Sequence, residues 1–212
     1  WEAAQMGFSA FDELPPLFSD YVISRVAAEV ANATETSIWS GSAGEGSFDG
    51  FSTLLAADAT VVDVAAATVT AANVIDQLGA IVDAASAAVL GKEDLTLYIS
   101  NNIARAYIRA LGGFGTAGLG GNGVDSKGTT WYNGGQLTFE GINIFVAQGL
   151  GDNKAVLAEK SNLFFGTGLL DDRNKVAVID TSETLGDQNV RVVMRYTAGV
   201  QIGIGSSIVY YS

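Results

Sequence analysis

The chain predicts an α+β fold, and three observations carry that prediction. Helical periodicity is concentrated in the first 111 residues and short strand-like runs in the remainder, an order that favours segregated helices and strands over a doubly wound sheet. A hydrophobic content of 48% with a mean hydropathy of +0.27 gives a chain of 212 residues enough apolar surface to fold. No internal repeat of solenoid period is present, and the length fits one large domain or two lobes.

The elements follow in order. Pro15-Pro16 closes an irregular leading segment, and Ser19 is placed to cap a helix, with Asp20 at its positive end. Tyr21 to Trp39 reads as that helix. Tyr21, Val22, Val26, Val30 and Ala33 recur near 3.6 residues, while Glu29, Asn32 and Glu35 fall largely on another face. Gly41-Ser42-Ala43-Gly44 stops it. The stretch from Asp49 to Val69 is β-prone, with Thr60-Val61-Val62 and Thr68-Val69 as short candidate strands. Thr70 is positioned to cap a second helix, Ala71–Leu90. Its apolar stripe is Val74, Ile75, Leu78, Ile81, Val82, Ala85 and Val89, and Gly91 falls at its C′ position.

Leu95–Ile99 reads as a buried strand, and Ser100 opens a short helix that runs to Leu111. Gly112 to Gly135 is a Gly-rich loop of a length usually reserved for function or mobility. Leu137–Phe139 and Ile142–Ala147 form a hairpin across Glu140-Gly141. Further strands fall at Ala155–Ala158, Leu163–Phe165, Val176–Asp180, Val190–Val200 and Ile208–Tyr211.

Composition narrows the chemistry. The chain has neither Cys nor His. That removes disulfides, thiolate nucleophiles, the commonest general base and the usual zinc ligand, leaving carboxylate, Lys or Tyr chemistry. The net charge of -12 is uneven: residues 1–91 carry twelve acids and one base, Arg25, whereas residues 92–212 carry eleven acids and ten bases. No basic patch can form from the first half, so tight phosphate binding there is not expected. The charged fraction of 16% lies below the ordinary ~25% and leaves much surface free for contacts with partners or for a well-packed monomer. Ala71–Leu90, the most apolar stretch, is interrupted by Asp76, Gln77 and Asp83, so no membrane span is expected. No signal peptide or lipidation motif is evident. A chain that begins at Trp1 reads as a processed product or part of a longer protein.

Formal motifs carry little. Gly113 to Gly118 matches GxGxxG but follows a helix and enters a loop, the wrong context for a dinucleotide. Asp171-Asp172 with Asp180 fits no calcium loop, and nothing in the sequence brings Asp58 to Asp63. Asn32-Ala33-Thr34 is a glycosylation pattern inside a predicted helix. Phe164, Phe165, Tyr196, Tyr210 and Tyr211 are read as core and interface aromatics. Arg191 and Arg195, four apart on one strand, share a face that suits the acids of a neighbour or solvent. No catalytic, cofactor-binding or metal-binding residues are assigned.

Five segments, taken in order, resemble the major capsid proteins of tailed bacteriophages. Leu14–Asp20 (LPPLFSD), Tyr21–Trp39 and Ser40–Gly46 (SGSAGEG) look like the long spine helix and its Gly-rich exit. Leu95–Leu111 is similar to the strand-then-helix segment. Gln136–Ala147 (QLTFEGINIFVA) resembles the hairpin after a mobile loop. Ser161–Asp172 (SNLFFGTGLLDD), and Arg191–Gln201 (RVVMRYTAGVQ) preceded by Val176–Asp180 (VAVID), complete the series. The resemblance covers nearly the whole chain and is nearest in wording to capsid proteins of crAss-like and related gut phages.

The resemblance implies a fold shared with encapsulins. A peripheral domain of about 15–51 and 173–205 would hold the long spine helix and long strands. An axial domain would comprise 52–172 and 206–212, with 112–135 near the capsomer axis. Residues 1–14 would end the extended loop, and the N-terminal arm with most of that loop would be absent. It further implies a structural subunit that assembles into hexamers and pentamers of an icosahedral shell enclosing double-stranded DNA. Implied partners are copies of itself, then portal, scaffolding and decoration proteins. DNA would fill the lumen without sequence-specific contact, and no membrane is involved. The location would be the virion, and the host cytoplasm during assembly. Alternatives are an encapsulin-type compartment shell, or a carboxylate-dependent hydrolase or carbohydrate-binding module.

Overall fold

The computed structural model describes residues 16–45, 47–111, 136–168, 176–180, 190–194 and 197–212. The chain divides into two compact units, Trp1–Glu35 and Thr36–Ser212. Of the first unit, the described residues are entirely helical. They belong to α1, Pro16–Ser40, a helix of 25 residues spanning about 37 Å. It starts earlier than the sequence suggested. Pro16 sits at the first helical position, where its missing N–H is no loss and its fixed φ is already helical, so Ser19 and Asp20 lie within the helix rather than capping it. No described side chain from Tyr21 to Ile38 is buried, and Tyr21 and Ile23 are exposed. Arg25 and Glu29 pair one turn apart at 3.1 Å, an exposed contact of little weight.

In the second unit α1 ends at the expected glycine, and the Gly41 N–H closes back on Ser37 O at 3.0 Å. A short 3-10 turn, Ala43–Glu45, follows, its first N–H taken by Asp49 Oδ1 at 2.9 Å. The next segment corrects the sequence reading: Phe51–Ala57, within the stretch read as β-prone, is a helix, α2. Phe51 and Leu55, one turn apart, are both buried, and Phe51 meets the Trp39 ring at 5.4 Å. That burial overrides the β preference of the segment. Strand β1 (Val62–Val64) lies two residues later than proposed, and Thr68-Val69 is not a strand.

The second predicted helix is two. α3 runs Val74–Asp83 and α4 runs Ala87–Leu90, separated where Ser86 adopts an extended backbone. Asn73 rather than Thr70 occupies the N-cap, with Asn73 Oδ1 accepting from Thr70 N at 2.7 Å and Thr70 Oγ1 at 3.1 Å. Gly91 follows α4 with φ -84, so its position does not require glycine. β2 (Leu95–Ile99) and α5 (Asn101–Leu111) have the expected bounds. The hairpin β3 (Thr138–Phe139) and β4 (Ile142–Val146) turns at Glu140 and Gly141, both with positive φ (49 and 82), a two-residue turn that matches the twist of paired strands. β5 (Ala155–Glu159), β6 (Leu163–Thr167), β7 (Val176–Asp180), β8 (Val190–Met194), β9 (Ala198–Ile202) and β10 (Val209–Tyr211) follow. The predicted run Val190–Val200 is thus divided between β8 and β9, which pair with different strands.

A mixed six-stranded sheet of order β1-β10-β5-β2-β4-β3 forms the centre of the second unit. β1 runs parallel to β10 and β2 parallel to β4; the other pairs are antiparallel. Both faces are covered. Leu97, Ile99, Leu157, Val209 and Tyr211 point into one core with Leu78 and Ile81 of α3 and Ile103 and Tyr107 of α5. Val156, Ala158, Ile208 and Tyr210 alternate into the other, with Trp39, Phe51 and Leu55. This two-sided burial explains why β5 reads as a continuous apolar run, AVLA, with no polar alternation.

Candidate assembly surface

Outside the six-stranded sheet lie two antiparallel ribbons, β6–β9 and β7–β8. The first is built outward from a fixed base. β5 ends at Glu159, whose carboxylate takes Lys92 Nζ at 2.6 Å. The chain then makes a 3-10 turn over Lys160–Asn162, and Ser161 donates its hydroxyl (2.6 Å) and N–H (3.3 Å) to Asp94 Oδ2. The Ser161 hydroxyl in particular holds the Asp94 carboxyl below the usual carboxylate range. Asn162 is buried and joins the two strands of the ribbon. Its Nδ2 donates to Ile204 O at 2.9 Å, its Oδ1 accepts from Ile204 N at 2.7 Å, and its carbonyl accepts from Gly203 N at 3.0 Å. Glycine is required opposite it, because a Cβ on Gly203 would stand 2.5 Å from Asn162 Oδ1.

Beyond this base the ribbon keeps only partial cover, with Val200 and Ile202 of β9 against the second core and the strand β6 largely exposed. Phe164 pairs with Gln201, Phe165 with Val200 and Gly166 with Gly199. Successive strand residues face opposite sides, so the two phenylalanines lie on opposite faces, and both stay about half exposed, at 54% and 47%. A two-stranded ribbon is marginal alone in water. Two large rings left open on both sides make this surface suited to burial against another molecule. Neither strand carries a charge, which removes like-charge repulsion from a contact between copies of a chain of net charge -12.

The aromatics divided between two roles. Tyr210 and Tyr211 are fully buried, with the Tyr211 hydroxyl 2.8 Å from Gln77 Oε1 and accepting from Ala67 N at 2.9 Å. Phe145, on the outer side of β4, is exposed but meets the half-buried Tyr98 ring edge-on at 5.7 Å. Burial raises the Tyr98 and Tyr107 hydroxyl pKa values. Sequence reasoning named Phe164 and Phe165 but not the Asn162 clamp, because an isolated Asn in a turn carries no pattern.

Among the described residues the chemical motifs do not assemble into a site. Asp58 Oδ1 accepts from Thr60 N (2.9 Å) and Oγ1 (2.7 Å), which lowers its pKa, and Asp63 is exposed on β1. Asp180 lies on β7, while Asp171 and Asp172 fall outside the described residues, as do Gly113–Gly118, Gly112–Gly135, Arg195 and Tyr196. Arg191 is exposed on β8. Asn32-Ala33-Thr34 lies inside α1, with Thr34 Oγ1 donating to Val30 O at 2.7 Å. Among the described residues no group of three His, Cys, Asp or Glu comes together to hold a metal, and no helix is long and apolar enough to cross a membrane.

No protein-family model matches the chain, and no curated protein matches its sequence. Solved structures do match its fold. A chain from Mycobacterium phage Che8 aligns with all of it at a TM-score of 0.57 and 9% identity. The capsid of an empty GTA particle aligns with 91% at 0.62, and that of a native GTA particle with 99% at 0.58, each at 16% identity. The chain spans about two thirds of the length of each of these: 66%, 65% and 68%. Identities this low speak to the fold alone. The chain therefore has an α+β fold shared with these capsid structures, the fold of phage major capsid proteins.

Proposed function

We propose that this chain is a structural subunit that tiles with copies of itself into a closed shell. The observation that carries the proposal is the β6–β9 ribbon: a charge-free strand pair, anchored at Asn162 and bearing Phe164 and Phe165, each about half exposed, on opposite faces. In the monomer about half of each ring faces solvent, whereas a subunit with neighbours on both sides buries both rings. The likeness to GTA capsids in fold, and the low charged fraction of 16%, support the same reading.

In its finer form the proposal is a shell of hexamers and pentamers with icosahedral symmetry around double-stranded DNA. The acidic first half disfavours adhesion of that DNA to the wall. Residues 15–51 and 173–205 would form the peripheral domain, 52–172 and 206–212 the axial one, and 1–14 the end of the extended loop. Portal, scaffolding and decoration proteins are the further partners, and the virion is the place of action, after assembly in the host cytoplasm. The protein performs no catalysis in this reading. Kinship with crAss-like phages rests on the wording of the sequence segments.

Negative-stain microscopy of the purified full-length protein, with nuclease-protected DNA measured in isolated particles, tests this. Rings or closed shells containing DNA are expected. Shells with protein cargo and no DNA would indicate an encapsulin-type compartment, and monomers that bind glycan would overturn self-assembly altogether.

A further inference from the structure

The two helices that pack together on one face of the sheet, α3 and α5, carry opposite and unpaired charge. α5 (NNIARAYIRAL) has two bases, Arg105 and Arg109, and no acid; α3 (VIDQLGAIVD) has two acids, Asp76 and Asp83, and no base. All four are exposed, and among the described residues none makes an ion pair. Asp83 also ends α3, at the negative pole of the helix, where an acid is mildly unfavourable without a partner. Arg105 and Arg109 are one turn apart on one face. Asp76 and Asp83 are seven residues apart, also on one face, separated by about 10 Å. Between them on that face stands the exposed small residue Ala80, which lets another surface approach closely.

Beside the arginine face lies a groove of about 280 Å³ between α5 and the β3–β4 hairpin. Ile108, Leu137, Ile144 and Val146 make its floor, and Asn101 and Arg105 its rim. An apolar floor with a cationic rim suits an acidic helix face. In a chain of net charge -12, a second copy supplies one.

The geometry points to a head-to-tail contact between copies, in which the α5 face and groove of one subunit receive the Asp76–Ala80–Asp83 face of the next. Donor and acceptor surfaces differ, so each subunit keeps one of each free and the contact propagates, closing a ring where the rotation allows. This inference rests on the self-assembly reading above and names a surface for it distinct from the Phe164–Phe165 ribbon.

Charge swapping tests it. One variant of the full chain carries Arg105→Glu and Arg109→Glu; a second carries Asp76→Lys and Asp83→Lys. All four positions are exposed, so circular dichroism should match the parent and the melting temperature should fall only slightly, because Asp76→Lys and Arg109→Glu each reverse a favourable helix-end charge. Each variant alone should need roughly tenfold or more protein to assemble in sedimentation velocity, because like charges then face each other. Mixed in equal amounts, the two should assemble in alternation near the parental concentration, since every contact again joins opposite charges. Variants that assemble as the parent does, or a mixture no better than its components, would overturn the contact while leaving self-assembly intact. A mixture that stops at dimers would overturn its head-to-tail sense. A parent chain that stays monomeric would overturn both readings.

Discussion

β5 and β6 are separated by one 3-10 turn, yet their surroundings are opposite. β5 has a strand on either side and a core on either face, and all five of its residues are buried. Among the described residues β6 has one neighbour, β9, and its last four residues are exposed. The sequences do not announce the difference: AVLAE is no more apolar than LFFGT. What separates them is the number of partners within the chain. The first strand is enclosed by its own chain, and the second leaves its rings half open.

The sharpest way to break this comparison is to truncate both strands. Leu157→Ala, in the middle of β5, should destabilise the monomer by about 2–5 kcal/mol in a urea melt, through lost apolar transfer and the cavity left behind. Tyr211→Phe acts in the same sheet. It leaves the Ala67 N–H and Gln77 Oε1 without their shared partner and should cost about 1–3 kcal/mol by the same measurement. Gly203→Ala should loosen the base of the ribbon by about 1–2 kcal/mol, because the new Cβ must displace Asn162 Oδ1; loss of assembly should accompany it in sedimentation velocity. Phe164→Ser with Phe165→Ser should cost the monomer only about 1 kcal/mol, since each ring is half exposed, while assembly is lost. A large loss of monomer stability here would mean that the ribbon is part of the core after all.

The smallest effect concerns pH. Because Ser161 lowers the Asp94 pKa in the folded state, the carboxylate contributes stability above its unfolded value, near 3.9, and that contribution is lost as pH falls through the folded value. Asp94→Asn should therefore melt below the parent at neutral pH and converge with it in strong acid, followed by thermal denaturation across pH 2–7. Curves that stay parallel to the acid end would show that Asp94 does not hold the turn through its charge.

Much of the central sheet was legible in the sequence, and the reasons are local. Leu95–Ile99 is a compact apolar run bounded by turn residues, and Glu140-Gly141 supplies a turn with positive φ between alternating strands. Phe51–Ala57 was not legible as a helix, since its seven residues are held by Phe51 and Leu55 beneath Trp39 rather than by propensity. The break after Asp83 was also hidden, because Ala84-Ala85-Ser86 contains no helix breaker. At the candidate surface, the two phenylalanines could be named from the sequence. That they face outward could not, because exposure depends on which strands find partners. The charge contrast of α3 and α5 was present in the letters, but it acquires meaning only once both helices lie on one side of the same sheet.

The position of β10 sets the order in which the protein can be made. It lies between β1 and β5, so the sheet stays split until Val209–Tyr211 has left the ribosome. Some fifty residues separate β5 from it, a wait of roughly 2.5–10 s at ordinary rates of translation. During that interval the nascent polypeptide shows an open edge on β5. A product truncated before Val209 never closes that seam, and β1 is left without its partner strand.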